Sequence, residues 1–146
     1  MLTTPKKAGH KRQPPVLKKP VLPPEIAAWF SRRGWQPRAH QLALLDAARQ
    51  RQSTLLIAPT GAGKTLAGFL PSLVALGGEK RPRSGAGLFT LYISPLKALA
   101  TDVERNLIEP IAEMGLKIRT ETRTGDTSAA RRQRQRVKPP QIMLTT

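Results

Sequence analysis

The spacing of apolar residues along this chain switches repeatedly between the period of a helix and that of a strand. Helical spacing begins near Glu25 and stops at Gly34, and Pro37 opens a second predicted helix. Short runs rich in leucine and β-branched residues predict four strands, at 54–58, 88–93, 116–122 and 141–145. The remaining predicted elements are a helix after Gly63 with a local defect at Pro71, a loop from Gly77 to Gly87, a helix from Leu96 to about Met114 that breaks at Pro110, and a helix over 128–137.

This alternation of strands and helices predicts an α/β domain with a parallel sheet that helices cover on both faces. The chain stops at the last predicted strand, 141–145, and a parallel sheet rarely ends its domain on a bare strand. We therefore expect the domain to be partial at its carboxyl end. An unpaired sheet edge invites association with other chains, so we also expect poor solubility for the isolated chain.

Residues 1–22 differ in composition from the rest of the chain. They contain six lysines and arginines, several prolines and no acidic residue. Proline fixes φ and removes backbone donors, and the few apolar side chains cannot offset the entropy of ordering. The sequence therefore predicts a disordered, basic, proline-rich tail at 1–22 and a folded domain at 23–146.

The overall charge narrows the choice of partners. The 146 residues include 25 Lys and Arg against 9 Asp and Glu, a formal charge of +16. This excess favours a polyanionic partner such as nucleic acid, with a merely solvated surface as the alternative. The absence of cysteine excludes disulfides and cysteine-based metal sites. No apolar run approaches the roughly 20 residues of a membrane helix, so we expect no membrane association and a cytoplasmic location.

The sharpest chemical signal is the octapeptide 58–65, APTGAGKT, at a predicted junction from strand to helix. It has the Walker A spacing, with alanine in place of the first glycine. Lys64 would neutralise the β- and γ-phosphates, and the Thr65 hydroxyl would ligate Mg²⁺. This pattern predicts binding of ATP or GTP, since a glycine-rich turn with a structural lysine does not explain the convergence of these residue types. The predicted phosphate-binding residues are Pro59, Thr60, Gly61, Ala62, Gly63, Lys64 and Thr65, with Lys64 and Thr65 as the catalytic pair.

The segments that flank this loop resemble those of superfamily-2 helicases. The resemblance is strongest to the Lhr-like (large helicase-related) DEXH-box group, in particular its bacterial DNA-ligase-associated branch, and covers about 22–146. It implies the amino-terminal part of the first RecA-like P-loop NTPase domain. The segment 34–41, GWQPRAHQ, is similar to the family's Q motif. By resemblance, Gln41 reads the adenine edge and Trp35 or Phe30 packs near the base, whereas Trp29 is expected in the core.

Three more segments resemble helicase motifs at the carboxyl ends of predicted strands, where ligands gather in open α/β sheets. They are 94–99 (SPLKAL, motif Ia), 123–127 (RTGDT, motif Ib) and 144–146 (LTT, the start of motif Ic). The resemblance implies nucleic-acid contacts at Ser94, Pro95, Lys97, Thr124, Gly125 and Thr145. Asp126 is expected to cap the following helix. Four arginines are spread around that helix, which suits a solvated helix at least as well as a DNA-binding face.

The resemblance implies that the full-length protein is an ATP-dependent DNA helicase that uses ATP and Mg²⁺. Its implied substrate is single-stranded DNA, with RNA not excluded. The resemblance implies that the protein moves along the strand 3′ to 5′ and acts in DNA repair. The implied remainder of the polypeptide includes a second RecA-like domain. The 146 residues lack an Asp-Glu-x-His segment, so we expect them to bind nucleotide without hydrolysing it in isolation.

Two alternatives to a helicase stay open at this point. One is a P-loop switch or transferase, and the other is a nucleic-acid-binding remnant without a motor. A transferase should bind a small molecule saturably. A helicase segment should prefer single strands, with an affinity that falls steeply as salt rises.

Overall fold

The computed structural model describes residues 22–78 and 87–146. The predicted tail, apart from Leu22, and most of the predicted loop between Gly77 and Gly87 lie outside the described residues. Five helices and three strands follow one another in the described parts. They are α1 (Pro24–Arg32), α2 (Ala39–Arg49), α3 (Lys64–Gly77), β1 (Thr90–Ile93), α4 (Lys97–Glu113), β2 (Thr120–Arg123), α5 (Ala129–Val137) and β3 (Ile142–Thr145).

The three strands form a parallel sheet in the order β1-β3-β2. The chain passes from β1 to the far edge and then returns to the centre, so right-handed crossovers place α4 and α5 on opposite faces. Side-chain contacts agree, because the Thr122 hydroxyl bonds Glu104 of α4 while the adjacent Glu121 bonds Gln135 of α5. The predicted parallel sheet with helices on both faces is confirmed.

The main core lies on the face of the sheet that α3 and α4 cover. Ile142 and Leu144 of the central strand are fully buried there. Tyr92 of β1 packs on Phe69 of α3, with their ring centroids 5.6 Å apart. Helix α1 contributes three further buried side chains to the same core, and these include Trp29, whose core position was predicted. The three are Ile26, Trp29 and Phe30.

The predicted strand at 54–58 is not formed. None of β1, β2 and β3 pairs with this segment, which has no regular structure, and Leu55 and Ile57 are 82% and 85% exposed. Apolar composition makes a segment suitable for a strand, but a strand forms only where another strand satisfies its backbone donors and acceptors. Among the described strands, no neighbour is in place for these residues.

The predicted helix break at Pro110 is also wrong, because α4 continues through it to Glu113. A proline this far along a helix removes its own N–H bond to the carbonyl four residues back, and its ring crowds that carbonyl, so Pro110 destabilises the last turn of α4 locally. Ile111 and Met114 beyond it are buried in the core, and their burial favours continuation of the helix. The strands are shorter than predicted, since β1 begins at Thr90 and β2 at Thr120.

Candidate nucleotide-binding site and nucleic-acid interface

The predicted phosphate-binding loop leads directly into α3, whose first residue is Lys64. Gly61 and Gly63 have φ angles of 78° and 74°, in the left-handed region that side chains disfavour. A Cβ atom on Gly63 would also lie 3.0 Å from the amide nitrogen of Gln41. The turn therefore requires glycine at both positions, as the motif predicted.

The Lys64 ammonium group folds back over this loop. Its Nζ donates to the carbonyl oxygens of Ala58 (2.9 Å) and Pro59 (2.7 Å), and the side chain is exposed. The first turn of α3 contains no acidic residue, so the positive end of the helix dipole is uncompensated. A lysine, a helix amino terminus and two glycines thus converge on one exposed loop, a donor set that fits phosphate groups.

The same loop can hold a magnesium ion only when a bound nucleotide supplies further ligands. Thr65 is exposed next to Lys64, and its hydroxyl is a suitable ligand. Within residues 22–78 and 87–146, no group of three or more His, Cys, Asp or Glu side chains is placed to hold a metal. Magnesium is commonly held by one or two protein ligands, phosphate oxygens and water, so Thr65 would hold it together with bound phosphates.

A cavity of about 530 Å³ lies beside the phosphate loop, a size typical of small-molecule sites. Its walls include Trp35, Arg38, Gln41, Gly61 and Gly63. A larger cavity of about 620 Å³ lies at the amino ends of the strands, beside Lys117 and Lys138. That cavity is far from the carboxyl ends where the sequence motifs lie, so size alone does not identify the site here.

Gln41 is buried between the start of α2 and the phosphate loop. Its side-chain oxygen accepts from the Arg38 backbone N–H (2.9 Å), and its nitrogen donates to the Gly63 carbonyl (3.5 Å). An amide has two donor hydrogens and two acceptor positions, so one of each is left for a base. The structure therefore adds a linking role to the base-reading role that the sequence predicted.

The two aromatic candidates for the base differ sharply in exposure. Phe30 is 3% exposed and packs edge-to-face on Trp29 in the core, with ring centroids 5.0 Å apart. Both rings line the cavity, but Trp35 is 50% exposed. Of the two, Trp35 is the ring whose surface is accessible to a ligand.

The three predicted nucleic-acid segments meet at the carboxyl edge of the sheet. The Ser94 backbone N–H donates to the Thr145 carbonyl (2.9 Å), and the Thr145 hydroxyl donates to the Arg123 carbonyl (2.6 Å). Parallel strands end on the same side, which is why segments distant in sequence become adjacent here. One continuous edge therefore collects all six predicted contact residues.

The side chains on this edge divide into buried and exposed sets. Ser94 is buried, and its hydroxyl donates to the Leu96 carbonyl (3.1 Å) at the start of α4. Pro95, Lys97 and Gly125 are exposed, whereas Thr124 and Thr145 are partly buried. The exposed set can reach a ligand through its side chains, and Ser94 instead shapes the turn that presents Lys97.

Sequence reasoning missed the part that Arg132 plays at this edge. Its guanidinium donates to the carbonyls of Gly125 (2.6 Å) and Thr124 (3.3 Å), so it holds the motif Ib loop against α5. The four α5 arginines were considered together, and nothing in their spacing singled this one out. Its position one turn into a helix that follows the loop was the available signal.

Asp126 does not cap α5, contrary to the prediction. The capping residue is Ser128, whose hydroxyl accepts from the Arg131 N–H at 3.4 Å. Because α5 begins at Ala129, Asp126 lies two residues before the capping position and cannot reach the first free N–H groups. Asp126 instead forms an ion pair with Lys97, so it connects the motif Ib and motif Ia loops.

Part of the positive charge on α5 is directed inward at Glu121. The Glu121 carboxylate, 7% exposed as a residue, accepts from Gln135 (2.9 Å) and Arg134 (3.0 Å). Arg131 lies 3.6 Å away. Burial alone would raise the pKa of Glu121, but the hydrogen bonds from Gln135 and Arg134 and the nearby positive charges hold it below its usual value. Arg131 and Arg134 therefore pair with a carboxylate of the sheet. That part of the positive charge of α5 is directed at the fold and not at a DNA-binding face.

Every helix in the described parts of the chain is too short or too polar to span a membrane.

The DEAD/DEAH box helicase family matches residues 38–146. The chain is 41% identical over 145 residues to the Lhr helicase/uracil glycosylase of Escherichia coli (strain K12), an alignment that covers 86% of this chain and 9% of that protein. It is 36% identical over 135 residues to the ATP-dependent helicase Lhr-Core of Saccharolobus solfataricus, covering 86% of this chain and 15% of that one.

Solved structures agree with the sequence relatives. Mycobacterium smegmatis helicase Lhr, in a structure bound to ssDNA and AMP-PNP, superposes with a TM-score of 0.75 at 35% identity, over 86% of this chain and 17% of that one. The helicase MrfA, bound to DNA and AMPPNP, gives a TM-score of 0.73 at 34% identity with the same coverage. These relatives confirm the resemblance to the Lhr group and the RecA-like fold, while placement in the ligase-associated branch stays a prediction. The chain spans less than a fifth of the length of each of these relatives. With the family match over residues 38–146, it belongs to the DEAD/DEAH box helicase family.

Proposed function

We propose that the full-length protein is an ATP-dependent helicase that translocates along single-stranded DNA, with a role in DNA repair in the cytoplasm. The observation that carries the proposal is the position of two sites on one small domain. A phosphate-binding loop with its adjoining cavity lies at the start of α3, and three motif loops gather at the carboxyl edge of the sheet. Nucleic-acid and nucleotide-analogue complexes of similar proteins support this pairing.

At the nucleotide site, the chain's own residues bind and orient ATP. Gly61 and Gly63 give the backbone the turn that surrounds the phosphates, and Lys64 exchanges its two carbonyl partners for phosphate oxygens. Gln41 and Trp35 hold the base in the cavity of about 530 Å³. Bound Mg²⁺, held by Thr65 and the phosphates, would neutralise the charge that develops on them.

At the sheet edge, the chain binds the backbone of the nucleic acid. Lys97 supplies a cation, and the exposed Gly125 leaves its loop accessible to phosphate oxygens. Pro95 and the partly buried Thr124 and Thr145 complete the contact. These groups recognise phosphate and sugar, so little base preference is expected, and RNA is a second possible ligand for the same edge.

The first experiment measures ATP hydrolysis by the full-length protein with and without single-stranded DNA. Hydrolysis by wild type should be stimulated by DNA. Lys64→Ala should lose at least about 100-fold in hydrolysis and keep its DNA affinity at low salt, because Lys64 binds the phosphates of the nucleotide and not the DNA. Equal hydrolysis by both proteins would refute the assignment of the nucleotide site.

We further propose that residues 1–146 in isolation bind ATP but do not hydrolyse it. They contain Lys64 and Thr65 but no Asp-Glu-x-His segment to position the attacking water. Hydrolysis by this segment that disappears in Lys64→Ala would contradict the proposal.

A further inference from the structure

Trp35 in the cavity wall contacts two neighbours, Trp29 and Arg33. Its indole ring packs edge-to-face on Trp29, with centroids 5.7 Å apart and an interplanar angle of 89°. The Arg33 guanidinium carbon lies 5.3 Å from the Trp35 centroid and 5.9 Å from that of Trp29. Since Trp35 itself is half exposed, these two contacts are what fix the plane of its ring.

Both of these supports are bound by one carboxylate, that of Glu113 at the end of α4. Glu113 accepts from the Trp29 indole N–H (2.6 Å) and from Nε and a terminal nitrogen of Arg33 (3.0 and 2.6 Å). Glu109 accepts a further bond from Arg33 (2.8 Å). A carboxylate that binds a guanidinium through both oxygens fixes its orientation as well as its position.

This network does little to attach α1 to the rest of the domain. Ile26 and Phe30 are buried in the main core, so apolar packing already docks the helix. Arg33 and Glu113 are partly exposed, and ion pairs in such positions contribute little to stability. The main effect of the network is therefore to orient the rings of Trp29 and Trp35.

The charge states favour this geometry. Hydrogen bonds from Arg33 and Trp29 hold the pKa of Glu113 below its usual value, and the carboxylates of Glu113 and Glu109 raise the pKa of Arg33. Each group is thus kept in the charged form that the contacts require.

We propose that Glu113 is a positioning residue for nucleotide binding, which acts through Trp29 and Arg33 to hold Trp35 as the surface on which the base stacks. The inference rests on the nucleotide site proposed above. It assigns a function to the carboxyl end of α4, the helix that begins at the predicted nucleic-acid residue Lys97. The base gains from Trp35 only if the ring already has the correct plane when the nucleotide arrives.

The test separates the base from the phosphates. Isothermal titration calorimetry on the full-length protein with Mg²⁺ measures affinity for AMP-PNP, which has a base, and for inorganic tripolyphosphate, which has none. Glu113→Gln keeps the size of the side chain but loses the charge that binds Arg33. It should weaken AMP-PNP binding about 5- to 20-fold and change tripolyphosphate binding less than about twofold, since only AMP-PNP has a base that stacks on the ring.

Two further variants make the test specific. Trp35→Ala should reproduce the loss for AMP-PNP, and the double variant with Glu113→Gln should lose no more than Trp35→Ala alone, because both changes remove one interaction. Arg33→Lys, which keeps the charge without the planar fork, should act in the same direction.

Arg32→Ala is the matched control. The Arg32 guanidinium donates to the backbone carbonyl of Glu113 (2.8 Å). Its substitution therefore removes a bond between α1 and α4 and leaves the Glu113 carboxylate in place. Its AMP-PNP affinity should stay within about twofold of wild type, because that bond does not bear on the rings.

Three results would overturn the inference. The first is unchanged AMP-PNP affinity in Glu113→Gln. The second is an equal loss for AMP-PNP and tripolyphosphate, which indicates a general structural effect. The third is wild-type protein that binds tripolyphosphate as tightly as AMP-PNP, which leaves the phosphate site in place without a stacking contribution. Wild-type protein that binds neither ligand would instead refute the nucleotide site itself.

Discussion

The two edge strands of the sheet treat the same face in opposite ways. On β1, the apolar side chains of Leu91 and Ile93 are 51% and 68% exposed, whereas on β2 the charged Glu121 is only 7% exposed. The register sets Leu91 and Glu121 on either side of Met143, so both point to one face. Helix α5 covers that face over β2, and no described helix covers it over β1. Whether a side chain on this face is buried therefore depends on whether a helix covers its strand, and not on whether the side chain is apolar or charged.

The segment 54–58 extends this comparison. Its leucine and β-branched residues resemble those of β3, yet Leu55 and Ile57 are exposed while Ile142 and Leu144 are fully buried. The central strand has a partner on each side, and 54–58 has none among the described strands. The exposed apolar side chains of 54–58 and β1 form a surface that would account for the poor solubility expected of the isolated chain.

The largest expected effect contrasts two leucines of the same sheet. Leu144→Ala should lower the free energy of unfolding by about 2–5 kcal/mol, because it leaves a cavity in the main core. Leu91→Ala should lower it by less than about 1 kcal/mol, since half of that side chain is already in water. Chemical denaturation of both variants measures the difference. Equal losses would mean that the outer face of β1 is covered as fully as the core.

A second prediction concerns the buried carboxylate. The pKa of Glu121 in the folded protein is lowered from the ordinary value of 4.5. Its contribution to stability is therefore complete above about pH 4.5 and is lost as the pH falls through the lower folded value. Urea denaturation between pH 3 and 6 should show this loss in wild type and a shallower decline in Glu121→Gln. Glu113 titrates in the same direction, so part of the decline should persist. Parallel curves for the two proteins would argue against the network around Glu121.

The smallest effect should come from an exposed carboxylate. Asp126 pairs with Lys97 at the surface, where such pairs contribute little, so Asp126→Asn should change the free energy of unfolding by less than about 0.5 kcal/mol. The substitution frees Lys97 for phosphate, so affinity for single-stranded DNA should rise about two- to fivefold at low salt. Fluorescence anisotropy at two salt concentrations measures this, and a weaker affinity would indicate that Asp126 itself organises the edge.

Local patterns predicted much of the fold and of the nucleotide loop. Helical spacing found α1 and α2, and the glycines of 61–63 marked the turn that the φ angles require. The wrong predictions share a cause, because each depended on a distant partner. The strand at 54–58 lacked one, the helix beyond Pro110 had one in the core, and Asp126 found one in Lys97.

The sequence by itself determined the glycines that the turn at 61–63 requires, the period of each helix and the parallel class of the sheet. All of these depend on contacts within a few residues or on the order of elements. Only the tertiary structure decided that Phe30 is buried while Trp35 is half exposed, and that Arg132 holds the motif Ib loop. It alone placed Glu113 against Trp29 and Arg33, which are 80 or more residues away in the chain. Those contacts join elements that are distant in the chain, and their geometry depends on how the helices pack on the sheet, which no local pattern encodes.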